Sequence, residues 1–320
     1  MTIDWRTVSV DFSVAEADDV RLGHLVESSS WDQLGDDRRI VLLGFPSDEG
    51  VRRNGGRAGA ADGCDRIRHW LYRMTPDASS GGRHHDLLRQ VTDIGNLVCR
   101  GDLERDQRRL GRVIASLLES DRIPIILGGG HETALGHFLG YAESGMPVSI
   151  VNVDAHADVR PLVDGRGHSG SPFRQALEHP GGACRGYRVL GLSRFATAAS
   201  HVEYLRRHEA AFCWSDELRL ADAESAFDGD ERVLATFDLD VLSQHDAPGV
   251  SAPNPLGIDR TVWLALARSA GRSPSVRSMD VVELNPRYDR DDATARLAAL
   301  TVWQFTRGLA DRNDGRGGDR

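Results

Sequence analysis

Three potential metal ligands, Asp154, His156 and Asp158, stand two residues apart directly after an apolar segment. In an extended chain, side chains two residues apart point to the same side, so these three can converge on one point. Carboxylate and imidazole groups are common ligands of divalent metals. The spacing therefore predicts a metal site that one short segment encodes.

Further candidate ligands stand in two other motifs, one a histidine after three glycines (GGGHE) and one a pair of aspartates (TFDLDVL). Each motif alone has a plain structural explanation, as a tight turn or as turn and helix-capping residues. Together they offer too many ligands for one tetrahedral zinc, and the oxygen-rich set favours two manganese ions. The six predicted ligands are His131, Asp154, His156, Asp158, Asp238 and Asp240.

Two metals that share carboxylates indicate hydrolytic chemistry. Bridging aspartates can hold such ions about 3.5 to 4 Å apart, and a water between them is acidified into a hydroxide nucleophile. The motifs therefore predict a hydrolase that attacks its substrate with a metal-bridging hydroxide.

Strands and helices alternate around these motifs. Apolar runs typical of buried strands occur at 40–45, 123–127, 148–153, 187–190, 211–214, 233–237 and 276–279. The segment 102–118 has helical periodicity. This alternation predicts an α/β fold with a mostly parallel sheet and helices on both faces. Sites in such sheets form beyond the carboxyl ends of the strands, where the ligand motifs fall.

The chain contains no internal repeat and no linker rich in proline or serine. Residues 39–310 are therefore predicted to form a single catalytic domain. Residues 1–38 lack periodicity and are predicted to be an extension that packs on this core, and residues 311–320 to be a disordered tail.

Charge and composition exclude several classes of partner. The net charge of -9 argues against nucleic acid or an anionic membrane as partner, because both require a basic surface. The early sequence has no long apolar run, so no signal peptide or membrane span is predicted. All 39 basic residues are arginine, which excludes lysine chemistry. The four cysteines form no CxxC pair, which suits a reducing cytoplasm.

Other motifs predict no chemistry. The glycines at 128–130 lack the spacing of a dinucleotide-binding loop, and no GxSxG elbow occurs. His84 and His85 stand near Gly81 and Gly82 and are predicted to be solvated loop residues.

Four strings resemble the signature blocks of the ureohydrolases, the family of arginase, agmatinase and formimidoylglutamase. They are GGGHE (128–132), NVDAHADVR (152–160), TFDLDVL (236–242) and MDVVELNP (279–286). The resemblance covers about residues 40–308 and implies a three-layer arginase-like fold, two Mn²⁺ per subunit and a homo-oligomer. It implies one metal ion on His131, Asp154, Asp158 and Asp238, and the other on His156, Asp154, Asp238 and Asp240.

A second set of strings resembles the formimidoylglutamase branch. Arginases and agmatinases carry a histidine in an HGxP block, and Ser169 stands at that position here, in the string SGSPF. The strings NGGRAGA (54–60) and DATARLAA (292–299) also resemble this branch. His168, next to Ser169, could replace the missing histidine if the loop shifted by one residue.

The resemblance implies hydrolysis of N-formimidoyl-L-glutamate, a small molecule, to L-glutamate and formamide in histidine degradation. This substrate has two carboxylates, so arginines should bind it. Arg160 is the first choice, although a surface position is its alternative, and Arg57 and Arg296 are weaker candidates. Ser169 is expected in the substrate site, and Glu283 matches the glutamate that binds the cationic nitrogen group. Asp158 is expected to carry the proton to the leaving amine.

Three alternatives stay open at this point. A guanidino hydrolase of the same family, such as an agmatinase, guanidinobutyrase or arginase, would release urea. An amide hydrolase on the same fold, such as a zinc deacetylase, is disfavoured by the six-ligand set. A non-catalytic metal-binding protein is disfavoured because no ligand is missing.

Overall fold

The computed structural model describes residues 3–8, 18–35 and 38–312. The strands are β1 (Trp5–Arg6), β2 (Glu27–Ser28), β3 (Ile40–Phe45), β4 (Val91–Leu97), β5 (Ile123–Gly128), β6 (Val148–Val153), β7 (Cys184–Leu192), β8 (Ala211–Trp214), β9 (Val233–Asp238) and β10 (Val276–Val282). The α-helices are α1 (Leu22–Leu25), α2 (Glu49–Arg53), α3 (Gly63–Leu71), α4 (Arg83–Leu88), α5 (Leu103–Glu119), α6 (Thr133–Glu143), α7 (Pro172–Leu177), α8 (Ala199–Arg207), α9 (Arg260–Arg272) and α10 (Ala293–Ala310). No helix in this described part of the chain is long and apolar enough to cross a membrane.

The strands form one sheet in the order β1-β4-β3-β5-β10-β9-β6-β7-β8, and β2 also pairs with β4. The short β1 runs antiparallel to β4, and every other pair is parallel. Parallel neighbours need crossover connections, which place helices over the faces of the sheet.

Two hydrophobic cores lie on opposite faces of this sheet. Ile40 and Leu42 of β3 belong to one core, and Val41 and Leu43 belong to the other, because successive side chains of a strand point to opposite faces. Helices α3, α9 and α10 cover the first core, and α5 to α8 cover the second. The predicted α/β fold with three layers is therefore confirmed.

Four neighbouring strands in the middle of the sheet, β5, β10, β9 and β6, lead into the predicted site. His131 follows β5 by three residues, and Asp154 follows β6 directly. Asp238 ends β9, and Glu283 follows β10 directly. Because neighbouring strands lie only about 4.8 Å apart, the four loops meet at one edge of the sheet.

Parts of the predicted N-terminal extension and of the predicted tail pack on the rest of the fold. Both β1 and β2, within the predicted extension 1–38, pair with β4. Beyond α10, Asp311 accepts a hydrogen bond from Arg268 at 2.7 Å, and Arg312 donates to the carbonyl of Gly271 at 2.6 Å. The rest of the predicted disordered tail, 313–320, lies outside the described residues. The domain boundaries stay a prediction.

The prediction that His84 and His85 are solvated loop residues is wrong for His84, and for His85 it is wrong about the loop but not about the exposure of the side chain. Both lie in α4, which begins directly after Gly82, and His84 is fully buried. Its Nε2 atom lies 3.0 Å from Thr306 Oγ1. Burial lowers the pKa of His84 to about 4, so the ring is neutral at physiological pH.

Candidate active site

His131 directs its Nδ1 atom at three carboxylates. This atom lies 2.9 Å from Asp238 Oδ2, 3.1 Å from Asp158 Oδ2 and 3.2 Å from Asp154 Oδ2. It is buried, and none of the described residues gives it a hydrogen bond of acceptable geometry. One nitrogen and three oxygens around a common point form a donor set that suits a divalent ion.

His156 is the centre of a second group. Its Nδ1 atom lies 3.1 Å from Asp240 Oδ2 and 3.4 Å from Asp154 Oδ1. Asp154 therefore directs one oxygen to each histidine, so it lies between the two groups. This is the geometry expected of a carboxylate that bridges two metal ions.

Asp238 also touches both groups. Its Oδ2 atom faces His131, and its Oδ1 atom accepts a hydrogen bond from the backbone nitrogen of Asp240 at 2.8 Å. This bond closes a short 3₁₀ turn that holds Asp240 beside it. The structure thus brings all six predicted ligands together, although their ligand roles stay a prediction. We call these residues the metal cluster: His131, Asp154, His156, Asp158, Asp238 and Asp240.

Burial and the charges of neighbouring residues strongly shift the pKa values of side chains in the metal cluster. Burial, together with the charges of Asp240 and Asp154, raises the pKa of Asp238 well above its usual value. Burial also raises the pKa of Asp240 to about 6. Burial lowers the pKa of His131, but the charge of Asp238 and the close contacts with Asp154 and Asp158 outweigh it, so this pKa lies well above its usual value. Anions this crowded need a compensating cation, so the residues fit divalent metal ions.

Asp158 and Glu283 share an uncommon backbone conformation. Their φ angles are 47° and 70°, in the left-handed region that side chains other than glycine rarely adopt. Such strain costs free energy and is concentrated at functional sites. Both residues line the same cavity, which agrees with the catalytic roles that the sequence predicts for them.

Glu283 presents one free carboxylate oxygen. Its Oε1 atom accepts a hydrogen bond from the backbone nitrogen of His131 at 2.7 Å. Its Oε2 atom is buried and makes no hydrogen bond of acceptable geometry within the described ranges, although the nearby Ser251 side chain stabilises the charged form of the carboxylate. Burial is the main cause that raises the pKa of Glu283 to about 7. An unpartnered carboxylate oxygen is a suitable acceptor for a planar cationic N–H group.

A cavity of about 620 Å³, open solvent at its mouth included, lies over the metal cluster. Three polar residues at its edge, which we call the rim, are Asn54, Arg160 and Ser169. The structure thus places Arg160 and Ser169 where the sequence predicts substrate to bind.

Hydrogen bonds join the rim residues to one another. Arg160 Nη1 donates to Asn54 Oδ1 at 3.0 Å, and Asn54 Nδ2 donates to Ser169 Oγ at 3.1 Å. Gly170 lies beside them, and a Cβ atom at this position would lie 3.0 Å from Arg160 Cδ. A side chain at position 170 would therefore crowd Arg160 and Asn54 where they bond to each other.

The two weaker arginine candidates lie elsewhere. Arg57 stacks over the ring of Tyr288 at 4.1 Å and donates to the carbonyl of Val250. Arg296 stacks on Trp70 at 3.5 Å and lines a separate surface groove. Neither lines the cavity over the metal cluster, so the structure gives them no role in the site.

His168 is held by its own loop. Its Nδ1 atom accepts a hydrogen bond from the backbone nitrogen of Gly170 at 3.1 Å, and its Nε2 atom lies 3.1 Å from the carbonyl of Pro161. The ring is buried and does not line the cavity. With both nitrogens engaged by backbone, His168 is not placed to replace the missing histidine.

Asn54 and His201 line the cavity and are absent from the predicted site residues. Asn54 begins the string NGGRAGA, so the resemblance of that string to the formimidoylglutamase branch is the one sequence signal for it. His201 lies in the first turn of α8, and burial followed by the charge of Arg160 lowers its pKa. No spacing relates His201 to the ligand motifs, so the sequence offers no signal for it.

This fold and this cluster of ligands define a class of protein. Residues 38–307 match the profile of the Arginase family, and the chain belongs to that family. Formimidoylglutamase from Nocardia farcinica (strain IFM 10152) is 40% identical over 272 residues, which are 82% of this chain and 84% of that protein. Formimidoylglutamase from Geobacillus sp. (strain WCH70) is 37% identical over 271 residues, 81% and 80% of the two proteins.

A solved structure resembles the whole fold. Trypanosoma cruzi formiminoglutamase with Mn²⁺ has a TM-score of 0.82 and 32% sequence identity, and the match covers 92% of this chain and 100% of that chain. The predicted arginase-like fold and the resemblance to the formimidoylglutamase branch are confirmed.

Proposed function

We propose that this protein hydrolyses N-formimidoyl-L-glutamate to L-glutamate and formamide. The observation that carries the proposal is the rim, where Arg160 stands over the cavity and Ser169 takes the position of the arginase histidine. Arginine binds carboxylates in a fork geometry, and this substrate has two carboxylates. The relatives named formimidoylglutamase support the same assignment. The reaction is a step of histidine degradation.

The metal cluster would hold two Mn²⁺ ions, in agreement with the T. cruzi relative solved with Mn²⁺. When bound, the ions would acidify a water molecule and stabilise negative charge on the reacting group. One ion would lie on His131, Asp154, Asp158 and Asp238, and the other on His156, Asp154, Asp238 and Asp240.

The remaining residues would orient the substrate between the rim and Glu283. Arg160 would bind a substrate carboxylate, while Asn54 and Ser169 hold its side chain by the hydrogen bonds described above. Glu283 Oε2 would accept a hydrogen bond from the formimidoyl nitrogen, since this oxygen makes no hydrogen bond of acceptable geometry to the described residues. Charges of opposite sign at the two ends would fix the direction of the substrate.

Water oxygen would add to the formimidoyl carbon, and the bond from this carbon to the glutamate nitrogen would break. The Asp158 carboxylate faces the centre of the cluster. It would take a proton from the attacking water and pass it to the departing nitrogen. The balanced products are L-glutamate and formamide.

An assay with four substrates tests this proposal. Protein loaded with Mn²⁺ is supplied with N-formimidoyl-L-glutamate, arginine, agmatine or guanidinobutyrate, and glutamate, formamide and urea are measured. We expect glutamate and formamide in equal amounts from the first substrate and no urea from the others. Rapid urea release from any guanidino compound would overturn the assignment, and full activity after metal removal would exclude the dimetal mechanism.

Two further features are proposed on the family resemblance. We infer a homo-oligomer located in the cytoplasm, with residues 39–310 as its single catalytic domain. Light scattering on the purified protein tests the oligomeric state, and a monomer at working concentrations would contradict it.

A further inference from the structure

A chain of hydrogen bonds leads from His131 away from the cavity. His131 Nε2 lies 3.1 Å from Thr236 Oγ1, and this hydroxyl donates to Asp280 Oδ1 at 2.5 Å. A threonine hydroxyl has a single hydrogen, which Asp280 accepts, so His131 Nε2 must be the donor to Thr236. When Nε2 carries the hydrogen of a neutral ring, Nδ1 has a free lone pair, which is the form that binds a metal.

The chain continues to His137 in α6. Asp280 Oδ2 lies 2.6 Å from His137 Nδ1, and His137 Nε2 lies 2.6 Å from Ser278 Oγ. The Ser278 hydroxyl lies 2.6 Å from that of Tyr141. All four side chains are fully buried. Each therefore depends on its neighbours for hydrogen bonds, because water cannot replace them.

Asp280 depends on His137 for its orientation. The carboxylate has one oxygen on Thr236 and the other on His137. Loss of the His137 partner would leave Asp280 Oδ2 buried without this donor, so the carboxylate could turn away from Thr236. The His131 ring would then lose the contact that sets its tautomer.

We infer that His137 is a positioning residue for the metal cluster, because it holds Asp280 and, through Thr236, keeps His131 in the metal-binding tautomer. Substitution of a residue that hydrogen-bonds to a metal ligand typically lowers metal affinity about 10- to 100-fold. The inference rests on the metal centre of the proposed function and is independent of which substrate the enzyme accepts. The alternative is that the buried chain only stabilises the fold.

Two variants of His137 separate these roles. In His137→Asn, the side-chain nitrogen replaces Nδ1 and can still donate to Asp280. In His137→Gln, the amide reaches the position of Nε2 and keeps the contact with Ser278 instead. We expect Gln to weaken binding of one Mn²⁺ ion about 10- to 100-fold, and Asn to remain within about threefold of the original protein. Calorimetric titration of Mn²⁺ into chelator-treated, dialysed protein measures this affinity without any substrate.

A matched control is His84, which is also a fully buried histidine held by a hydroxyl group, that of Thr306, but lies in α4, which contributes no residue to the cluster or its cavity. His84→Gln is expected to lower the melting temperature and leave both Mn²⁺ affinities unchanged. An electron paramagnetic resonance spectrum adds a second readout, because His137→Gln at limiting Mn²⁺ should lose the signal of coupled ion pairs.

A double variant tests whether His137 acts through Thr236. Thr236→Val removes the hydroxyl with little change in shape and is expected to weaken Mn²⁺ binding as His137→Gln does. If His137 and Thr236 act through the same chain of hydrogen bonds, the combined variant should lose no more Mn²⁺ affinity than either single variant. Equal losses in His137→Asn and His137→Gln, unchanged affinity in both, or additive losses in the double variant would overturn the inference. If His137→Gln does not fold, the Mn²⁺ affinities of Thr236→Val and His137→Asn are sufficient to test the inference.

Discussion

The metal cluster and the rim differ in how their residues are held. The His131 side chain is 1% exposed and its three neighbouring aspartates crowd one nitrogen. Arg160 at the rim is exposed, and a hydrogen bond of 3.0 Å joins its guanidinium to Asn54. His131 in the cluster is therefore buried among charges, whereas Arg160 at the rim is exposed and has fewer contacts to hold it.

This difference predicts a division of effects. Changes in the cluster should remove metal and the chemical step together, because the crowded anions and the ions depend on each other. Changes at the rim should mainly weaken substrate binding, since the side-chain hydrogen bonds found for the rim among the described residues do not go to a predicted ligand. The following experiments test that division.

The largest effect is expected in the cluster. Asp154→Ala removes the carboxylate that faces both histidines, so activity should fall to the assay background and bound Mn²⁺ should be lost. Elemental analysis and the formamide assay measure both. Asp246→Ala, which changes an aspartate paired with Arg260 outside the cavity, should keep metal and activity. A metal-depleted Asp154→Ala protein with substantial activity would refute the role of the cluster.

The effect of Glu283→Gln is expected to lie between those of the cluster variant and the rim variant. It keeps an acceptor but removes the charge that faces the cationic substrate group. A hydrogen bond to a charged group contributes about 1.5–3 kcal/mol, so kcat/KM should fall about 10- to 100-fold. Bound Mn²⁺ should remain near its original amount, because Glu283 is not a predicted ligand. Loss of both ions in this variant would move Glu283 into the cluster.

Arg160→Gln should raise KM and spare the metal. Removal of a charged partner for the substrate carboxylate should raise KM about 10-fold or more, with kcat within about threefold. Steady-state kinetics with formimidoylglutamate measure both constants. Arg166→Gln on the same loop is the control, because this arginine is exposed and does not line the cavity. An unchanged KM in Arg160→Gln would show that Arg160 is a surface residue that does not bind the substrate.

The cluster and the neighbouring Glu283 should also make stability depend on pH when chelator has removed metal. Burial raises the pKa of Asp240 to about 6 and that of Glu283 to about 7, so the folded state binds these protons more tightly than the unfolded state. Their contribution is complete below about pH 4 and is lost as pH rises through 6 and 7. Melting temperatures of chelated protein should therefore fall from pH 5.5 to 8.

The control for this pH effect is Asp240→Asn. It removes one of the groups with a raised pKa, so the difference between the two melting temperatures should shrink. A chelated protein that melts at a higher temperature at pH 8 than at pH 5.5 would contradict the assignment.

The smallest effect is expected at Arg296, which the sequence suggests for substrate binding. Because it stacks on Trp70 outside the cavity, Arg296→Gln should leave KM within about twofold, in the range of surface substitutions. Kinetics run beside Arg160→Gln provide the comparison. A KM increase as large as that of Arg160→Gln would restore the prediction from sequence and extend the substrate site.

Much of the fold follows from local apolar patterns. The runs at 40–45, 148–153 and 211–214 coincide with β3, β6 and β8. No strand is predicted over 91–97, because Asp93 and Asn96 interrupt its apolar pattern. Both residues are buried in β4, where the fully buried Arg68 of α3 donates to Asp93 at 2.7 Å. Burial of this aspartate depends on an arginine 25 positions away, which no local pattern can indicate.

The sequence by itself determined the metal cluster and the class of chemistry. Its ligands stand in short motifs directly after strands, and in the case of Asp154, His156 and Asp158 within five residues, so spacing alone could bring them together.

Only the tertiary structure decided which arginine faces the cavity and what holds His131. Arg57, Arg160 and Arg296 are equivalent in chemistry, and packing alone separates one at the rim from two stacked on aromatic rings. The chain from His131 to His137 joins residues of β9, β10 and α6. These contacts cross the fold between segments far apart in sequence, and they exist only once the sheet has placed β9 and β10 side by side.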